Sequence, residues 1–215
     1  MRLRFIIVIL ILISFFSIGA FSETLLNKES FYGLENQCAS MSEFIENGVK
    51  VQYKTKINKD TEANKIKNYF KSIELNENSL GKLNFVNKKF NVETDIWNDD
   101  LYTYVNISLI NTSISYNTLE LKNIIKELTD ENSEEIQYFF YCKWKIDDAN
   151  KRNDTKILEE IMSESIFYKA DILEVNNGYI GNVILNNSEK INFAISKYNT
   201  GTYIIIGTPI IFAAY

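Results

Sequence analysis

Ser79-Leu80-Gly81-Lys82 follows the S-x-x-K pattern, in which a serine nucleophile works beside a lysine in acyl transfer on cell-wall material. That chemistry needs the serine at the start of a helix, with S-D-N and K-T-G elements close by. Here the four residues fall in a turn between a helical and an extended stretch, and no K-T-G occurs. Asp95, Asp99 and Asp100 flank Trp97, which sets carboxylates beside an aromatic platform, as in a glycan-cleaving cleft. Hydrolysis of that kind requires two carboxyls at a fixed separation and one raised pKa, neither of which a linear cluster establishes; a solvated hairpin loop is the plainer reading. Asp148-x-Asn150-x-Arg152-x-Asp154 has the alternation of a calcium loop, but Arg152 fills a ligand slot and the downstream glutamate is missing. No metal site and no cofactor site is assigned.

The chain contains no histidine. Ser-His-Asp and Cys-His catalysis, HExxH zinc chemistry and imidazole proton transfer near neutral pH are therefore excluded. Only carboxylates, lysine or tyrosine remain for catalysis. With no complete catalytic motif present, the chain reads as a non-enzyme, and a carboxylate-dependent wall-glycan hydrolase is the alternative.

A different constellation points to binding. Lys50, Gln52, Lys54 and Lys56 alternate with apolar residues, as do Tyr102, Tyr104 and Asn106, and then Phe139, Tyr141, Lys143 and Lys145. If the three strands share a sheet, their outward face is a basic field with interleaved rings, able to stack on rings and pair with anions. Lys50, Lys54, Lys56, Tyr102, Tyr104, Tyr141, Lys143 and Lys145 form the candidate binding face. An ordinary solvated face in a lysine-rich chain is the competing reading.

The elements that must position these residues follow from periodicity. Residues 36–47 have helical spacing, with Gly48 as a stop, and 49–57 alternate as a half-buried strand. Residues 60–73 read as an amphipathic helix. Strands are expected over 83–94 and 101–110 around a polar loop at 98–100, and a helix over 119–128. The pattern then restarts with a strand over 136–146, a helix over 154–165 and an extended stretch over 167–175. Strands over 179–185, 190–197 and 202–206 follow, joined by Asn- and Gly-rich turns. The expectation is an α+β fold of two pseudo-repeated halves, about 36–130 and 131–215, with helices on one face of antiparallel sheet.

At the amino end, Arg2 and Arg4 precede an apolar run that closes on Ala20-Phe21-Ser22, the layout of a signal peptide. Cleavage after Ser22 would leave a single mature domain, 23–215, outside the cytoplasmic membrane, secreted or held in the envelope; an uncleaved segment would instead anchor it to the membrane. Losing Arg2 and Arg4 takes the net charge from −5 to −7, which opposes nonspecific attraction to nucleic acid. Cys38 and Cys142 lie far apart in sequence. They fit either a long-loop disulfide or buried free thiols, since Cys142 falls on the strand face shared with Tyr138, Phe140 and Trp144.

The closing segment Gly207-Thr208-Pro209-Ile210-Ile211, ending at Tyr215, resembles the YwmB family of Firmicute exported proteins. The strand 190–195 before it and the strand carrying Cys142 add to the likeness, whereas Phe212-Ala213-Ala214-Tyr215 lacks the acidic residue that often precedes the last tyrosine there. The resemblance implies a TATA-box-binding-protein-like fold and supplies no catalytic residues. Together these readings give an extracytoplasmic accessory or binding protein of the cell envelope, with an anionic wall polymer or a protein as partner and no nucleic acid.

Overall fold

The computed structural model describes residues 30–78, 83–146, 154–163 and 167–213. The apolar run at the amino end, the S-x-x-K residues and positions 148–153 of the calcium-like run lie outside them. In chain order the elements are α1 (Phe31–Met41), β1 (Glu43–Thr55), α2 (Lys59–Ser72), β2 (Asn76–Asn78), β3 (Asn84–Val86), β4 (Phe90–Asn98) and β5 (Thr103–Asn111). They continue with α3 (Thr118–Lys126), β6 (Ser133–Lys145), α4 (Asp154–Met162), β7 (Phe167–Val175), β8 (Gly178–Leu185), β9 (Lys190–Tyr198) and β10 (Gly201–Thr208). The strands form one ten-stranded antiparallel sheet in the order β2-β3-β4-β5-β1-β6-β10-β9-β8-β7. The fold is α+β. Among the described residues no helix is long and apolar enough to cross a membrane.

The helices cover one face of the sheet. Ile66 and Phe70 of α2 and Leu121 and Ile125 of α3 pack on Val49, Val51, Val105, Ile107 and Leu109. A second core sets Phe31, Leu34 and Cys38 of α1 and Ile157 and Ile161 of α4 against Cys142, Trp144, Ile195, Ile204 and Ile206. Phe140 touches both cores. Capping explains the sharp starts of two helices. Asn58 Oδ1 accepts from Thr61 N at 2.9 Å, and Asn117 and Glu120 form a reciprocal capping box.

Three boundaries differ from the sequence expectation. The first helix runs over Phe31–Met41, not 36–47, and Gly48 lies inside β1 opposite Ile110 and Tyr141. Pairing with β6 overrides the helical spacing of residues 44 and 45, and a register shift between Phe44 and Glu46 obscures the alternation there. The strand expected over 83–94 is two strands, because Asn87 Oδ1 accepts from Lys89 N and Phe90 N, each at 2.8 Å, and turns the chain. A short extra strand, β2, adds an edge.

The face opposite the helices is only partly open. After β10 the chain turns back, and Ile211, Phe212 and Ala213 pack on Tyr141, Ala194 and Ile205, which are fully or almost fully buried. A β-carbon at Gly207 would stand 2.8 Å from Ile211 Cα and 2.9 Å from Ile210 O, so glycine is required for this close return.

A buried polar knot joins the two cores. Glu35 of α1 accepts from Thr118 N at 3.1 Å, Asn47 Nδ2 at 3.3 Å and Cys142 Sγ at 3.4 Å through Oε1, and from Thr118 Oγ1 at 2.5 Å through Oε2. Asn47 also donates to Tyr116 O at 2.8 Å, and Asn111 donates to Asn47 Oδ1 and Ser113 O, both at 2.7 Å. Cys38 and Cys142 are free and buried. Burial first, and then Glu35, push the Cys38 thiol up to about 12, and the same two causes raise Cys142.

Glu35→Ala strips acceptors from buried donors and is expected to cost about 3 kcal/mol or more in urea unfolding, with Glu35→Gln costing less. A thiol-specific chromogenic reagent at pH 8 should react with neither cysteine in the folded protein and with both in denaturant.

Candidate functional site

The exposed part of the face lies on β1, β4 and β5. Register fixes its layout: Lys54 sits opposite Tyr104 and Glu134, Gln52 opposite Asn106 and Gln137, and Trp97 opposite Tyr104. The Trp97 and Tyr104 rings stack with centroids 5.5 Å apart and planes within 10°, an arrangement that cross-strand pairing on one face favours. Trp97 remains 47% exposed. Beside the pair lies a cleft of about 190 Å³ lined by Gln52, Lys54, Tyr104, Asn106, Glu135 and Gln137. Trp97 also lines it, so two stacked rings, three amides and one ion pair meet there.

Lys50, Lys54, Lys56 and Lys143 each stand against a carboxylate or a ring. Lys54 Nζ contacts Glu135 Oε1 at 2.5 Å and stands 4.6 Å from the Tyr102 ring centroid. The hydrogen bond to Glu135 holds its ammonium above the ordinary range. Lys56 Nζ lies 4.0 Å from Glu134 and 5.9 Å from the Tyr102 centroid. Lys50 stands over Phe139 at 5.7 Å, and Lys143 over Tyr203 at 5.2 Å. Lys145 pairs in register with Glu43 and Tyr203. The face is therefore of mixed charge, not a basic field, because the strand neighbours Glu43, Glu134 and Glu135 accompany the lysines.

Two further expectations need correction. Tyr141 is not part of the exposed surface: it is fully buried, its ring centroid is 5.8 Å from that of Phe212, and its hydroxyl donates to Glu46 at 2.8 Å. Burial, and then Glu46, raise its pKa. The sequence marked its face of the strand but not the returning segment that covers it. Lys143 lies on the same sheet face as Lys54 but does not converge with it. Lys143 is opposite Glu46, eight residues along β1 from Lys54, so about 26 Å separates them.

The carboxylates around Trp97 have structural work. Asp99 Oδ1 accepts from Tyr102 N at 2.7 Å and Leu101 N at 2.8 Å, and Oδ2 accepts from Tyr104 OH at 2.9 Å. These donors, Tyr102 N foremost, hold Asp99 below the usual carboxylate range, and the same bond raises the Tyr104 phenol. That is the opposite of a general acid. Asp95 shares the open face with Asn106, its partner in register, and Asp100 is exposed in the hairpin loop. Among the described residues no cluster of histidine, cysteine or carboxylate side chains is arranged to hold a metal ion.

Glu135 and Gln137 were not singled out by the sequence. Glu135 adopts φ 54° beside a register shift, and that irregularity carries its carboxylate to Lys54. The chain matches no protein-family model and no curated protein sequence.

Asp99 ties the hairpin loop to Tyr104, and its folded pKa is lowered, so its contribution is complete above the ordinary carboxylate value of 3.8 and is lost as pH falls through the folded midpoint. In an NMR titration the Asp99 carboxyl should show a midpoint below 3.8, with Tyr104 ring signals moving on the same curve.

Proposed function

We propose that this chain is a non-catalytic binding or accessory protein of the cell envelope, acting outside the cytoplasmic membrane through the open face of β1, β4 and β5. The stacked Trp97–Tyr104 pair, half exposed beside a cleft of amides and lysine, carries the reading. Exposed rings offer flat apolar area to sugar rings while Gln52, Asn106 and Gln137 supply donors and acceptors for hydroxyl and amide groups. Lys56, exposed at the rim, and Lys50 supply local positive charge for an anionic wall polymer within a Debye length of about 8 Å. Nucleic acid is not the ligand, since the acidic chain and the mixed face give phosphate no continuous basic track.

The finer fold reading belongs with this proposal. The chain is two similar α+β halves in a TATA-box-binding-protein-like arrangement, akin to YwmB-type exported proteins. Its support is the strand order: outward from the central β1–β6 pair, one side runs β5, β4, β3, β2 and the other β10, β9, β8, β7, the same succession twice. Each central strand is followed by a helix, α2 or α4. The halves make one domain, because α1 packs in the core of the second and Phe140 serves both.

Purified protein should co-sediment with cell-wall preparations, and Trp97→Ala should weaken retention about tenfold, the size of one lost ring contact, with Tm nearly unchanged. Lys50→Glu with Lys56→Glu should weaken it further and flatten its salt dependence. Full retention by Trp97→Ala overturns the assignment of the site. Release of reducing sugars that Asp95→Asn abolishes would establish the glycan hydrolase instead.

A further inference from the structure

The two edges of the sheet are finished differently. β2 has three exposed residues, Asn-Glu-Asn, and Glu77 is bridged by Lys67 at 2.6 Å and Lys71 at 3.9 Å from α2. A short edge with its charge held by a neighbouring helix discourages further pairing. β7 is nine residues long and, among the described residues, pairs only with β8. Tyr168 is 79% exposed and Leu173 61%, and Leu173 sits opposite Ile180 on the open face with Ile210 beside them. A groove of about 790 Å³, lined in part by Leu173, Ile180, Asn182 and Ile210, runs beside it. A long edge with unpaired backbone groups and apolar side chains is a template for another strand.

We propose that β7 is a self-association edge, pairing antiparallel with β7 of a second copy of this chain about a twofold axis through Ala170. Charge selects both the occupant and the register. Lys169 and Asp171 share the open face of the sheet and already form an ion pair at 3.0 Å. A twofold centred on Ala170 sets Lys169 of each copy opposite Asp171 of the other, so the strand is complementary to itself. A centre on Asp171 would oppose two carboxylates, and one on Ile172 would set Asp171 against Leu173. Only the first centre leaves every charge near the axis with an opposite partner. This inference is independent of the wall-binding reading, because the Trp97 cleft lies in the other part of the sheet.

Equilibrium sedimentation of the full mature chain should show monomer and dimer exchanging over micromolar concentrations. Lys169→Asp should raise the dimer dissociation constant about tenfold by opposing like charges, and Lys169→Asp with Asp171→Lys should restore it. Ala170→Cys should form an intermolecular disulfide under mild oxidation, since facing Cα atoms in an antiparallel pair fall within disulfide reach. Glu174→Cys should not, because the two copies of that residue would stand about 27 Å apart. All four positions are exposed, so circular dichroism and Tm should stay at wild-type values. Monomer mass at every concentration, a dimer indifferent to Lys169→Asp, or equal cross-linking at Glu174 would overturn the proposal. Wild-type dimerisation by Trp97→Ala keeps its outcome separate from that of the wall assay.

Discussion

The structure turns on a carboxyl group placed where carboxyl groups are expensive. Glu35 is 6% exposed and has no lysine or arginine in contact among the described residues, so its burial is offset by neutral donors. Thr118 supplies a backbone N–H and a hydroxyl at the start of α3, Asn47 an amide from the middle of the sheet, and Cys142 a thiol from the neighbouring central strand. The donors come from three different elements, so the group is satisfied only when α1, β1, α3 and β6 are all in register. Apolar packing alone would tolerate small slips between the two cores; this knot does not.

The same geometry explains why the opposite face is divided. With the central strands pinned, Gly48 and Gly207 leave shallow ground on which Ile211 and Phe212 can lie. A β-carbon at Gly48 would meet Ile110 Cδ1 at 2.5 Å, with Phe212 just beyond at 3.4 Å. Ile211 and Phe212 therefore seal the middle of the face over Tyr141 and Ile205. What stays open is the polar, ring-bearing side on β1, β4 and β5, together with the apolar margin by β7.

Charge on the open side is balanced locally. Lys54 and Lys56 have Glu135 and Glu134 as neighbours, while Lys50 and Lys143 lie over rings. Such pairs on a solvated surface add little stability, but they fix side-chain directions and keep the aromatic surface accessible between them. The face reads as a place of shape and ring contact with modest electrostatic tuning, which suits a protein whose overall charge is negative.

Local pattern was enough to identify α2, α3, β1, β6 and the closing strands, because side-chain periodicity records which residues meet the core, and that record is written in consecutive positions. It also placed Lys54, Tyr104 and Asn106 on one side of their strands. Other features depend on partners distant in sequence. Whether residues 43–47 are helix or strand was decided by pairing with β6, and the break at Asn87 by a side-chain cap in a chain where asparagine is too common to be a signal. The burial of Tyr141 was decided by a segment about seventy residues later, and the neutralising of Lys54 by a bulge at Glu135. The sequence by itself determined which faces are apolar; only the tertiary structure decided what covers each face, since that depends on register and chain return, which no local spacing encodes.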